Sequence, residues 1–104
     1  MTARQRLVNR RQAETFNVEC AGLLYVCTIG RFPNGSVAEV FLSNGKCNSA
    51  ADTGARDSGI LVSLCLQHGC SVETIARALS RNSDGSASGV IGAVLDKVIA
   101  GEPR

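Results

Sequence analysis

One histidine and five cysteines are the residues of this chain with the greatest capacity for bond-making chemistry. His68 stands directly before Gly69, at a predicted helix C-terminus, where an imidazolium complements the negative end of the helix dipole. No nucleophile or orienting acid can be named beside it, so a capping or packing role suits it better than that of a general base. The cysteines occupy positions 20, 27, 47, 65 and 70. Their odd number argues against a closed disulfide framework, and no pair has the C-x2-C spacing of a zinc knuckle or a redox motif. Cys20, Cys27 and Cys65 fall in apolar stretches and read as small hydrophobes, whereas Cys47 and Cys70 fall in turns as candidate exposed thiols. Neither a catalytic residue nor a metal site is expected.

Binding chemistry has more to offer. Asp52, Arg56, Ser63 and Gln67 recur at near-helical spacing, and an arginine with amide and hydroxyl donors suits phosphates and base edges. The same strip is equally the solvent face of an ordinary helix. A second feature is the run Arg81-Asn-Ser-Asp-Gly-Ser-Ala-Ser-Gly89. Arg81 with the backbone N–H groups around Ser88 and Gly89, at the start of a helix, makes a candidate phosphate cradle. It has neither the order of a P-loop nor the strand and helix context of a dinucleotide turn. The plainer reading is a connecting loop in which Ser86 or Ser88 caps the following helix. Lys46 and Ser49, ahead of the long helix, are a smaller candidate of the same kind. With no recognition helix and no aromatic stacking platform, specific nucleic-acid recognition is not expected.

The elements that must position these residues follow from pattern. Thr15–Cys20 alternates, Leu23–Ile29 is rich in β-branched and aromatic residues, and Val37–Leu42 forms a third apolar run. Ala21-Gly22 and Pro33-Asn34-Gly35 are the turns between them, Asn-Gly being suited to the positive φ of a tight turn. A helix is predicted from about Ala50 to His68, closed by Gly69. Its Gly54, Ser58, Gly59 and Ser63 are poor helix residues, and a mid-helix glycine costs ~1 kcal/mol against alanine. Close approach of another backbone is the simplest reason for them, and self-association through this face the second. Val72–Ser80 reads as a short helix with a Glu73–Arg77 surface pair. Val90, Ile91, Val94, Leu95, Val98 and Ile99 form the apolar stripe of a last helix, which Gly101 and Pro103 end. The expected fold is α+β: a three-stranded antiparallel β-meander followed by three helices packed on one face.

The length of 104 residues makes a single domain the default, and 44% hydrophobic with 19% charged residues is a globular composition. The expected division is a basic flexible tail over 1–13, one domain over 14–101 and a short tail over 102–104. Four arginines fall in the first twelve residues, while residue 13 onward carries seven Lys/Arg and nine Asp/Glu. The tail reads as a loose terminus, or as a contact for phosphates or an acidic partner. A large catalytic barrel does not fit in this length. No apolar run approaches the ~20 residues of a membrane span, and no apolar signal core follows the basic start, so the expected location is cytoplasmic, away from membranes.

Gly35, Glu39-Val-Phe41, Lys46-Cys-Asn-Ser49, Leu64-Cys-Leu-Gln-His-Gly69, Glu73 and Ser88-Gly89 come in one order. That order resembles the TSCPD domain, as at the C-terminal end of adenosylcobalamin-dependent (class II) ribonucleotide reductases, and this chain looks like its stand-alone form, a small bacterial or phage protein. The resemblance covers about residues 14–100. The Thr-Ser-Cys-Pro-Asp run that names the family is absent, Lys46-Cys-Asn-Ser49 replaces its frequent Lys-x-Gly-Ser, and the cysteine pairs of the large reductases are missing. Cobalamin belongs to the large members only, so no cofactor is expected here. What the resemblance implies is an accessory domain of nucleotide metabolism that binds a nucleotide, a reductase or another protein, without catalysis of its own. The competing expectations are an oligomeric phage-type sponge that sequesters a cyclic or other nucleotide signal, and a purely structural interaction module. Gly54/Ser58 and Ala55/Gly59/Ser63 offer faces through which two long helices of a homo-oligomer would cross.

Overall fold

Three strands run as a meander: β1 (Ala13–Cys20), β2 (Leu23–Arg31) and β3 (Val37–Ser43), antiparallel and in the order β1-β2-β3. The computed structural model describes residues 3–5, 7, 12–46 and 48–101. Cys47 and the tail arginines Arg6, Arg10 and Arg11 lie outside the described residues. Ala21 and Gly22 both take positive φ, 52° and 80°, as a two-residue hairpin between right-twisted strands demands. At the second turn Gly35 has φ 92°, and the Asn34 side chain accepts hydrogen bonds from the Ser36 backbone and hydroxyl.

Register decides the two faces. Phe16 sits opposite Cys27 and Cys27 opposite Leu42, while Val18 faces Tyr25 and Ile29 faces Val40. All of these are buried, on the side covered by helices. Three helices follow, α1 (Ala50–Gln67), α2 (Val72–Ala78) and α3 (Val90–Ala100). α3 turns Val94 and Leu95 into the core, fully buried, and α2 adds Ala76. Burying a side chain of this size stabilises the fold by about 1.5–3 kcal/mol. The fold is the expected α+β arrangement of a meander followed by three helices.

α1 contributes Ala55, Val62 and Leu66 to the same core and also lies along the free edge of β3. An edge strand presents unpaired N–H and C=O groups that must be met by something. Here α1 meets them closely: a Cβ on Gly59 would stand 2.7 Å from the Val40 carbonyl oxygen. The expected close backbone approach is therefore found at Gly59. Gly54, by contrast, borders open space.

Ser49 and Ser71 cap α1 and α2, each hydroxyl accepting from the backbone N–H three residues on. For α3 the expected serine cap is not found. Gly89 holds the cap position without a side-chain bond, because the Ser88 hydroxyl is donated to Asn82 Oδ1 and that of Ser86 to Asp84. α1 ends in a Schellman closure: Gly69 has φ 99°, its N–H reaches the Leu66 carbonyl, and the Cys70 N–H reaches the Cys65 carbonyl at 3.0 Å. Glu73 and Arg77 do not form the expected ion pair; both are exposed on a two-turn helix, where such a pair contributes little. Among the described residues no helix is long and apolar enough to cross a membrane.

Candidate functional site

The polar side chains of α1 act as a substitute strand. The Ser63 hydroxyl accepts from the Val40 N–H at 2.8 Å and donates to the Val40 carbonyl at 3.2 Å. One turn on, Gln67 donates from Nε2 to the Ala38 carbonyl at 3.1 Å. At the other end Asp52 Oδ1 accepts from the Asn44 N–H at 2.8 Å and the Gly45 N–H at 3.4 Å. Three of the four residues of the polar strip therefore close the edge of the sheet, and both Asp52 and Gln67 are buried. The hydrogen bond from Arg56 Nε to Asp52 Oδ2, 2.8 Å, helped by the Asn44 N–H, holds the Asp52 carboxyl below the usual carboxylate range.

Beside this seam, on the sheet face turned away from the helices, lies a groove of about 520 Å³. Val26 and Phe41 form its floor, Ile60 and Leu64 of α1 its wall, and all four are exposed, Phe41 by 55%. Arg4, Arg56, Glu39, Ser63 and Gln67 supply its polar parts. The Arg56 side chain is 58% exposed even while paired with Asp52. Arg4, from the basic tail, donates from Nε to Gln67 Oε1 at 2.6 Å, and the Gln5 N–H reaches the Gln67 carbonyl at 2.7 Å. Glu39 lies flat across Gly30, where any Cβ would collide with the carboxylate, and is buried against the sheet. A volume of this size, mostly apolar with a few polar groups, is that of a small-molecule pocket.

The other candidates are placed elsewhere. Lys46 and Ser49 belong to the β3–α1 loop, where the Ser49 hydroxyl donates to the Lys46 carbonyl while capping α1. Neither lines the groove. Arg81 is clamped by Asp96 through two hydrogen bonds, 2.6 and 2.8 Å, and also donates to the carbonyls of Ala76 and Gly85. This pairing keeps the Asp96 carboxyl below and the Arg81 guanidinium above their usual ranges. The 81–89 segment is a small hairpin with an Arg81–Ala87 bridge and an Asn82–Ser86 turn. Its Ser88 and Gly89 are some distance along the chain from the groove and line none of it. Of the expected binding residues, Arg56, Ser63 and Gln67 meet in the groove.

Phe41, Ile60, Leu64, Val26 and Glu39 complete it and were not read as site residues. A signal existed: Val37–Leu42 is apolar on both strand faces, which marks a strand covered, or needing cover, on each side. Cys65 departs from expectation as well, for it is exposed on the outward side of α1 rather than packed in the core. Cys27 is the buried thiol, its pKa pushed up to about 12 by burial. Among the described residues no three His, Cys, Asp or Glu side chains gather as metal ligands would.

The model of the TSCPD domain matches residues 1–100. The chain belongs to the TSCPD family. Neither the curated proteins nor the solved structures contain a match to it. The TSCPD match spans the meander, all three helices and the floor and wall of the groove.

Proposed function

We propose that this TSCPD domain is a non-catalytic accessory protein of ribonucleotide reduction and that its outer groove binds a nucleotide. The observation that carries this reading is the groove itself, in which exposed Phe41, Ile60 and Leu64 stand beside Arg56 and Arg4. An apolar floor with an aromatic ring suits a base, and guanidinium groups at the rim suit phosphates. The Ser63 hydroxyl of the groove is spent on the Val40 backbone, which supports binding without turnover. The link to ribonucleotide reduction rests on the likeness to the C-terminal domain of the large reductases.

The test is a melting-temperature panel of ribonucleotides, deoxyribonucleotides and cyclic nucleotides. A ligand present at 100 times its Kd adds about 2.7 kcal/mol of stability. Arg56→Ala and Phe41→Ala should each weaken binding about tenfold, the loss of one charge-assisted hydrogen bond or one stacked ring. A panel that leaves the melting temperature unmoved, or binding indifferent to both substitutions, overturns the nucleotide reading. The apolar surface extends past the groove to Leu24 and Leu61, which favours a protein partner as the second reading. Capture of a purified class II reductase, lost on Leu24→Asp or Leu61→Asp, would distinguish it.

A further inference from the structure

From the closure of α1 we infer that Cys65 and Cys70 are a dithiol modification site, which closes to a disulfide by exchange with a small-molecule disulfide of the glutathione class. The backbone sets the distance. The Cys70 N–H donates to the Cys65 carbonyl at 3.0 Å. With the N–Cα bond on one side and the ~2.4 Å from carbonyl oxygen to Cα on the other, the Cα–Cα separation is capped at ~6.9 Å, and any bend shortens it, against the ~4.4–6.8 Å that disulfides span. In a Schellman closure the side chains at these two positions lean on one another. Here both positions are cysteines, and burial and the nearness of Cys70 raise the pKa of the Cys65 thiol. Both are free and exposed.

The remaining described thiols differ. Cys27 is fully buried, and Cys20 lies half-buried at the end of β1. Cys70 follows the helix end, at the rim of a shallow depression formed with Ser71, Val72 and Glu73. Cys70, past the end of the helix and at the rim of that depression, makes the first attack. The Cys70 thiolate attacks one sulfur of the small disulfide, whose S–S bond breaks, and the departing thiolate takes up a proton. Deprotonated Cys65 then attacks the Cys70 sulfur of the mixed disulfide and expels the second small thiol. Two protons and two electrons pass from the cysteines to the reagent, and the sulfurs balance. The new bond fastens the last turn of α1, where Leu64 and Gln67 border the groove.

Trypsin isolates the pair. Cleavage after Arg56 and Arg77 gives peptide 57–77, which holds Cys65 and Cys70 and no other cysteine. The reduced, folded protein is equilibrated with glutathione buffers near pH ~8, where thiolates form, then alkylated, digested and weighed. The expected peptide is two hydrogens lighter and carries no alkyl group. Half-oxidation is expected in a buffer at least about tenfold less oxidising than synthetic 57–77 requires, because the folded closure raises the effective thiol concentration. A doubly alkylated or doubly glutathionylated peptide overturns the inference, and so does an equal midpoint for protein and peptide. Cys65→Ser is expected to retain one glutathione on position 70. If that variant stays unmodified, attack by Cys70 is overturned.

Discussion

Arg56 and Arg81 both stand among hydroxyls, amides and backbone donors, yet the fold uses them in opposite ways. Arg81 is held by a bidentate carboxylate and two carbonyls, and it ties the 81–89 hairpin to α2 and α3. Arg56 donates to Asp52 through Nε and, with its side chain 58% exposed, stands at the rim of an apolar groove. The contrast extends to their surroundings. Around Arg81 the polar groups satisfy one another within a loop, whereas around Arg56 they satisfy the edge of a sheet. An arginine is a candidate for ligand binding only where the fold leaves its side chain exposed beside a space a ligand can occupy.

The seam between α1 and β3 is the stronger structural member of this comparison, and disturbing it should have the largest effect. Gly59→Ala is expected to lower stability by about 1–3 kcal/mol in urea unfolding, since the new methyl meets backbone rather than a movable side chain. Alanine's better helix propensity, ~1 kcal/mol, works against this loss and should not cancel it. A Gly59→Ala protein more stable than the parent would mean that α1 stands off the strand. Ser63→Ala comes next, expected to cost about 1–2 kcal/mol by removing the partner of both backbone groups of Val40. The matching change in the hairpin, Ser88→Ala, should stay within ~0.5 kcal/mol because its hydroxyl is exposed. Equal losses at Ser63 and Ser88 would erase the distinction between seam and hairpin.

Acid sharpens the same comparison. A carboxyl whose folded pKa lies below its unfolded one stabilises the fold above the unfolded value, and the contribution fades as pH falls through the folded value. Asp52 and Asp96 are both lowered, by Arg56 and Arg81 respectively. Both should stabilise the protein at neutral pH and lose that contribution progressively as pH falls below ~4. Asp52→Asn is therefore expected to melt lower than the parent at pH 7, with the gap closing in acid. A gap that widens on acidification has the wrong sign for this account. Smallest of all, Arg81→Ala should lower the melting temperature slightly, more at low salt than at high. It should leave nucleotide affinity within about twofold while Arg56→Ala reduces it. If Arg81→Ala weakens binding instead, the hairpin is the site.

Strand and helix positions were legible because each rests on a short-range rule. Gly35 and Ala21-Gly22 sit where positive φ is needed, Gly69 and Gly101 end helices in the left-handed region, and Val94 and Leu95 fall on a clean helical stripe. The Asp52–Gln67 strip was visible as a polar line on α1, but not its employment. Helical spacing says which residues share a side and is silent on what that side meets. The groove was harder still, since Val26 and Phe41 come from different strands and gain meaning only when Ile60 and Leu64 arrive beside them. Glu39 became a groove residue because Gly30 lies across from it, a pairing that depends on register.

Periodicity, turn chemistry and the glycine positions, all local in the chain, determined by themselves that this protein is a β-meander followed by three helices. Tertiary structure alone decided that α1 closes the sheet edge with Ser63 and Gln67, that Arg81 is held by Asp96 while Arg56 is exposed at the groove, and that Cys65 lies exposed. The reason is physical. Local rules follow from the sterics and hydrogen bonds of a few consecutive residues, whereas a side chain's partner depends on which distant groups the packed core brings within about 3 Å of it.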